Sequence, residues 1–153
     1  GTFTGMSSRV LLDFSDPNSK IHTFDIVKWD KFDSHLGKND FRNGRLNQHL
    51  SDLSQKEEFK NYLDIISISD FIFLDAPKDG SFEYKFLDLL SKGNLPKKKR
   101  YLVIDDIKFL NMTSLWRSIN SPKIDATSFG HWSGTGIVDI KDGLKINKKF
   151  FVN

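Results

Sequence analysis

Four aspartates stand at or beside the ends of apolar segments that have the composition of buried strands. They are Asp25, Asp75, Asp105 and Asp106. Carboxylate oxygens can ligate a hard cation such as Mg²⁺, and they can accept hydrogen bonds from the hydroxyl groups of a ribose. The chain has no cysteine, so a bound metal would need oxygen or imidazole ligands. These aspartates are therefore the first candidates for function.

A glycine-containing segment at residues 1–8 leads directly into an amphipathic pattern that is typical of a helix. Glycine lets the backbone approach a ligand, and the start of a helix offers unpaired N–H groups. Asp25 ends the next predicted strand, about 20 positions further on, where a carboxylate can hold both hydroxyls of a ribose. The alternative is an ordinary glycine turn in which Ser7 or Ser8 caps the helix.

The elements that must position these residues alternate between strand and helix patterns along the chain. We predict strands at 21–26, 46–53, 71–74, 101–104, 124–129 and 136–140. We predict helices at 5–14, 55–68, 81–91 and 111–119. The continuous apolar run at 71–74 is typical of a strand that is covered on both faces of a sheet. This order predicts an α/β protein with a doubly wound, mostly parallel sheet and an antiparallel hairpin at one edge, connected through residues 131–135.

The length and composition predict one domain over residues 1–153. The chain is 38% hydrophobic with 14 phenylalanines, which is enough to build a core. It has no apolar run near the roughly 20 residues needed to cross a bilayer and no secretory leader, so we expect a cytoplasmic protein without a membrane partner. The net charge of +3 comes partly from Lys97–Arg100, which we interpret as a solvated loop, and no nucleic-acid partner is expected.

The segment Gly-Thr-Phe-Thr-Gly-Met-Ser at residues 1–7 resembles the first motif of the catechol O-methyltransferase-like branch of class I methyltransferases. Thr-Phe-Asp-Ile at 23–26 is similar to the second motif. The resemblance implies a Rossmann-like fold that binds S-adenosylmethionine, with the family's first strand expected before residue 1 and so lacking from this domain. The cofactor-binding residues that it implies are Gly1, Phe3, Gly5, Ser7, Asp25 and Asp52. Ser7 would contact the methionine carboxylate, Asp25 the ribose and Asp52 the adenine amino group.

The segment at residues 73–79 resembles the family's metal motif, in which an aspartate ligates a divalent metal and a lysine three residues later acts as general base. By that resemblance, Asp75 is a metal ligand and Lys78 is the catalytic base, with its pKa lowered by the metal and by burial. Asp105 and Asp106 resemble the paired ligands after the following strand. The resemblance therefore implies a site for Mg²⁺ or a similar cation.

His131 and Trp132 lie in the predicted hairpin connection, where an aromatic ring could cover a flat acceptor and a histidine could hydrogen-bond it. The alternative is an ordinary edge turn. The related sugar O-methyltransferases use an acidic pair, so a hydroxylated sugar or polyketide acceptor is as consistent with the sequence as a catechol.

The expected function is transfer of a methyl group from S-adenosylmethionine to a hydroxyl of a small molecule, assisted by a divalent metal. Two other hypotheses stay open. The first is a truncated, non-catalytic Rossmann-like binding domain, and the second is a metal-dependent hydrolase that would not require Asp25. Self-association into a homo-oligomer also stays open.

Overall fold

A computed structural model describes the backbone of residues 1–150 and the side chains of residues 1–149. The protein is a mixed α/β structure with two compact units, one ending at Leu53 and the other beginning at Ser54. None of the described helices combines the length and the apolar character needed to span a membrane.

The first unit contains one α-helix and two parallel strands. Helix α1 covers Met6–Phe14, strand β1 covers Ile21–Asp25 and strand β2 covers Leu46–Leu50. The strands pair from Ile21 with Leu46 to Asp25 with Leu50. A small core forms where α1 packs through Leu12 against Leu36 and Leu46, all of which are buried. Asp25 therefore lies at the carboxyl end of β1.

The described part of the second unit contains four α-helices and a four-stranded sheet. Its helices are α2 (Lys56–Asn61), α3 (Leu63–Ile68), α4 (Phe82–Lys92) and α5 (Met112–Ser118). Its strands are β3 (Phe71–Leu74), β4 (Tyr101–Asp105), β5 (Lys123–Asp125) and β6 (Thr135–Asp139). The spatial order is β3-β4-β6-β5, in which β3 and β4 are parallel and β6 runs antiparallel to both of its neighbours. The apolar side chains with no exposed surface lie on these elements or close to their ends, namely Leu87, Leu102, Ile104, Ile107, Leu115, Val138 and Ile140.

Each predicted strand and helix has a counterpart, and the antiparallel hairpin is confirmed. The single helix predicted at 55–68 is wrong, because the helical hydrogen bonding is interrupted at Tyr62, which separates α2 from α3. The strand predicted at 124–129 ends at Asp125, whose carboxylate accepts the Thr127 N–H and turns the chain into a short 3₁₀ helix. The prediction that β3 is covered on both faces is also wrong, because Phe71 is 47% exposed.

The interpretation of Lys97–Arg100 as a solvated loop is wrong for its last residue. Arg100 has no exposed surface. Its Nε donates to the Ser69 carbonyl at 2.8 Å, and its Nη2 donates to the Ser67 carbonyl. Burial lowers the pKa of this guanidinium. The arginine is thus a structural bridge from the start of β4 to the end of α3, where helix carbonyls lack intrahelical partners.

Candidate functional site

The second unit gathers the predicted metal ligands at one edge of its sheet. Because β3 and β4 are parallel neighbours, Asp75 just after β3 and Asp105 at the end of β4 lie at the same edge. The Lys78 Nζ lies 2.5 Å from Asp75 Oδ1 and 2.7 Å from Asp106 Oδ2. The structure therefore brings together residues that are about 30 positions apart in the sequence.

Lys78 is an ammonium donor in this cluster rather than a base ready to accept a proton. Its burial lowers the pKa, but hydrogen bonds to Asp106 and Asp75 outweigh burial and raise the pKa of Lys78. Burial raises the pKa of Asp106, whereas hydrogen bonds from Lys78 and Ser133 leave it lowered overall. The lowered lysine pKa expected for a general base is therefore not found with these partners. A competing cation would be needed to release Lys78 from the two carboxylates.

His131 extends the cluster through Asp105 and Ser133. Its Nε2 lies 2.9 Å from Asp105 Oδ1, and its Nδ1 lies 2.6 Å from the Ser133 hydroxyl. That hydroxyl donates to Asp106 Oδ1 at 2.5 Å. All three contacts are hydrogen bonds only if both ring nitrogens of His131 carry a proton, because the one serine proton is directed at Asp106. Asp105, Asp106 and His131 each offer one ligand atom, and these atoms lie within 4.8 Å of one another.

Two backbone hydrogen bonds hold the loop after β4 against the hairpin connection. Ile107 donates its N–H to the Gly134 carbonyl at 3.1 Å, and Lys108 donates to the Ser133 carbonyl at 2.8 Å. Gly134 has a φ of +82°, a conformation that favours glycine. This loop pairing explains how a histidine 26 residues after Asp105 reaches that carboxylate.

Trp132 lies at the surface, with 77% of the residue exposed. Its ring meets Phe109 edge to face, with the ring centroids 6.0 Å apart. The structure thus places the two residues predicted to contact the acceptor differently. His131 faces the carboxylates, whereas Trp132 offers an exposed aromatic surface.

In the first unit, Asp25 holds the segment that was predicted to bind the cofactor. Its Oδ2 accepts the N–H groups of Thr2 and Phe3 at 2.8 and 2.9 Å, and its Oδ1 accepts the Val27 N–H at 3.0 Å. Burial raises the pKa of Asp25, but these three hydrogen bonds outweigh burial and lower it. A carboxylate has about four acceptor positions, so these bonds leave capacity for about one more donor.

The glycine loop has an explanation within the unit itself. Gly5 has a φ of +78°, and a Cβ atom there would lie 2.5 Å from Leu36 Cγ. Gly5 is therefore required by backbone conformation and packing, whether or not a ligand approaches it. Gly5 is also the N-cap of α1, so the alternative with Ser7 or Ser8 as the cap is wrong. No side chain caps this helix start, and Ser7 lies half-buried in its first turn.

The other predicted cofactor residues are spread over the first unit. Gly1 and Phe3 are exposed at the start of the loop, and Phe3 packs edge to face against Phe32 with ring centroids 4.9 Å apart. Asp52 follows β2 and is partly buried. Asp25 contacts the loop through the N–H groups of Thr2 and Phe3.

Three features of the structure were not predicted from the sequence. Ser133 bridges His131 and Asp106, and Glu83 is a buried acid that accepts a backbone N–H from Lys78. The spacing of His131 and Ser133 in one short turn was a signal for the first. No sequence signal separates Glu83 from a surface glutamate in the first turn of a helix.

The third feature is a histidine pair in the first unit. His22 Nδ1 lies 2.9 Å from His49 Nε2, and the two rings are nearly parallel with centroids 5.2 Å apart. This centroid separation is about as large as the nitrogen distance allows, so the nitrogens face each other and one ring donates an N–H to the other. Burial and the Lys20 charge lower the pKa of His22, and burial and His22 lower that of His49.

Comparison of this chain with protein-family profiles, curated proteins and solved structures finds no match. Its function is therefore inferred from its own residues and contacts.

Proposed function

We propose that this chain is an S-adenosylmethionine-dependent O-methyltransferase with a Rossmann-like fold that uses a divalent metal. The observation that carries the proposal is the cluster at the ends of β3 and β4. Asp75, Lys78 and Asp106 lie within hydrogen-bonding distance there, and Asp105 is adjacent. Three carboxylates that lie close together repel one another unless cations neutralise them, so the cluster supports a role in cation binding.

The donor atoms of the cluster fit a divalent cation. The resemblance implies Asp75, Asp105 and Asp106 as ligands, whereas the converging atoms favour Asp105, Asp106 and His131. The all-carboxylate set suits Mg²⁺, and the set with imidazole suits Mn²⁺, Fe²⁺ or Zn²⁺. A bound cation of either kind would polarise a hydroxyl oxygen of the acceptor and favour its deprotonation. Asp106 belongs to both sets and to the Lys78 contact, so it is the central ligand of the proposal.

Lys78 has a defined task in this proposal. In the structure its ammonium neutralises Asp75 and Asp106. Cation binding to Asp106 would weaken that contact and remove the main cause of the raised pKa of Lys78. The lysine would then be able to take the proton of an acceptor hydroxyl.

The first unit supplies the proposed cofactor contacts. Asp25 keeps acceptor capacity for a ribose hydroxyl while it holds the Thr2 and Phe3 N–H groups. The start of α1 has no side-chain cap, so its N–H groups could receive the methionine carboxylate near Ser7. When bound, S-adenosylmethionine would supply the methyl group. The proposed acceptor is a small hydroxylated molecule that contacts His131 or Trp132.

Calorimetric titration of S-adenosylhomocysteine into the wild-type chain and the Asp25→Asn variant tests the cofactor part of the proposal. We expect saturable binding by the wild type and a loss of roughly tenfold or more in the variant, since hydrogen bonds to a charged group are among the stronger ones. Asp13→Asn is the matched control, because Asp13 is on exposed surface of the same unit and pairs only with Arg9 in the described contacts. A folded wild type that binds no S-adenosylhomocysteine would refute the proposal.

A metal-dependent hydrolase is the second candidate, and the Asp105–Asp106–His131 group favours it. Three protein ligands with open coordination positions are also the arrangement that activates a metal-bound water. This candidate predicts metal-dependent hydrolysis that survives Asp25→Asn and is abolished by His131→Ala. The methyltransferase predicts the opposite dependence on Asp25.

A further inference from the structure

Glu83 is buried in the first turn of α4, with only 1% of the residue exposed. Buried glutamates are rare unless they have partners. Its Oε1 accepts the backbone N–H of Lys78 at 2.6 Å. Its Oε2 has no hydrogen-bond partner among the described residues. A half-satisfied buried carboxyl group is unfavourable for folding, so its presence here calls for an explanation.

The backbone that Glu83 contacts has an unusual conformation. Lys78 has a φ of +59°, in the left-handed region that non-glycine residues rarely adopt. The side chain of lysine offers the backbone no local hydrogen bond in this region, unlike that of asparagine or aspartate. The bond from the Lys78 N–H to Glu83 is therefore the contact that can hold this conformation.

The left-handed conformation matters because it directs the lysine side chain. From this backbone, Nζ reaches both Asp75 and Asp106, and the side chain is only 15% exposed. A change of φ at Lys78 to the ordinary negative region would redirect Cβ and move Nζ away from at least one of these carboxylates.

We propose that Glu83 is a positioning residue, whose buried carboxyl group holds the backbone of Lys78 so that its ammonium stays between Asp75 and Asp106. The importance of this arrangement for methyl transfer rests on the proposed function, but the arrangement itself does not. Glu83 would act entirely through Lys78, without contact to a cofactor or acceptor.

Nuclear magnetic resonance of the Lys78 ammonium and backbone amide tests the proposal on the full chain without any ligand. An ammonium held by two carboxylates exchanges its protons slowly enough to be observed, whereas a solvated one does not. We expect both Lys78 signals in the wild type and in Glu83→Gln, which keeps an acceptor oxygen. In Glu83→Leu we expect loss of the ammonium signal and roughly tenfold faster amide exchange at Lys78.

Asp79→Ala separates positioning from simple anchoring of the helix. The Asp79 carboxylate accepts the N–H groups of Ser81 and Phe82 at the start of α4. Its loss weakens the same helix start without removing the acceptor for Lys78, so the Lys78 ammonium signal should remain. An ammonium signal that persists in folded Glu83→Leu, or that disappears equally in Asp79→Ala, would overturn the proposal.

A double variant keeps the proposal testable if Glu83→Leu folds poorly. Glycine adopts positive φ without steric cost, and Glu83→Leu should already have displaced the ammonium, so Lys78→Gly should cost less stability in Glu83→Leu than in the wild type. We expect Lys78→Gly to lower the melting temperature less in Glu83→Leu than in the wild type, and an equal or larger fall in Glu83→Leu would contradict the proposal. None of these measurements involves S-adenosylhomocysteine, so failure here is distinct from failure of the proposed function.

Discussion

Replacement of Lys78 by methionine removes a positive charge from the centre of the carboxylate cluster but keeps a side chain of similar length. The Lys78 side chain is 15% exposed, and those of Asp106 and Asp75 are 19% and 37% exposed. Breaking a fully buried pair costs about 3–5 kcal/mol, and an exposed pair contributes about 0–1 kcal/mol. These contacts lie between the two limits, and the Asp75 contact is the more strongly screened. We therefore expect Lys78→Met to lower the free energy of unfolding by about 2 kcal/mol at neutral pH without metal.

Magnesium should reverse this effect, because in the variant it no longer competes with the ammonium for Asp106. A ligand present at about a hundred times its dissociation constant stabilises the folded state by about 2.7 kcal/mol. We expect the stabilisation by Mg²⁺ to be larger in Lys78→Met than in the wild type. A larger gain in the variant would indicate that lysine and cation share the same carboxylates.

Urea unfolding followed by tryptophan fluorescence can measure both effects. A Trp29→Phe background leaves Trp116 and Trp132, so the signal comes from the second unit. Lys92→Met is the matched control, since Lys92 is an exposed lysine of α4 whose partner Asp88 also pairs with Lys148, so its loss should have little effect. Unchanged stability of Lys78→Met without metal, or an equal Mg²⁺ gain in variant and wild type, would refute the reasoning.

Two further predictions concern other parts of the protein. The pKa values of His22 and His49 lie below their ordinary value of 6.5 in the folded state. The folded protein therefore keeps the stabilisation from the neutral histidine pair above about pH 6.5 and loses it as the pH falls. Melting temperatures between pH 7 and pH 5 should therefore decline less steeply in His22→Gln than in the wild type, and parallel curves would count against the pair. Gly136→Ala would place Cβ 2.5 Å from the Trp116 ring, so we expect about 1–3 kcal/mol of destabilisation in urea unfolding. Gly37→Ala, with its nearest atom at 3.9 Å, should be close to neutral, and equal effects of the two variants would contradict the packing argument.

Much of the element order could be predicted from the sequence, because it depends on local patterns. The apolar runs that become β3 and β4 and the helical spacing that becomes α4 are visible within short windows. One boundary error arose where a side chain ended an element. Asp125 turned the chain by accepting a nearby N–H, which overrode the strand pattern of the following residues.

The placement of Asp75 and Asp105 at one sheet edge was also predictable, since parallel strands align their carboxyl ends. The protonation behaviour of Lys78 was not. Its pKa depends on which carboxylates lie within hydrogen-bonding distance, and Asp106 reaches it only through the folded loop after β4.

The sequence alone determined the types of the chemical groups and their places along the chain, because strand and helix periods are local and strand ends follow from them. Tertiary structure decided the contacts among those groups. His131 meets Asp105 because the loop after β4 donates two backbone hydrogen bonds to the hairpin connection. Lys78 reaches Asp106 from a left-handed backbone held by Glu83. The first contact joins segments that are distant in sequence, and the second depends on a single backbone angle. The spacing of apolar residues along the chain predicts neither kind of contact.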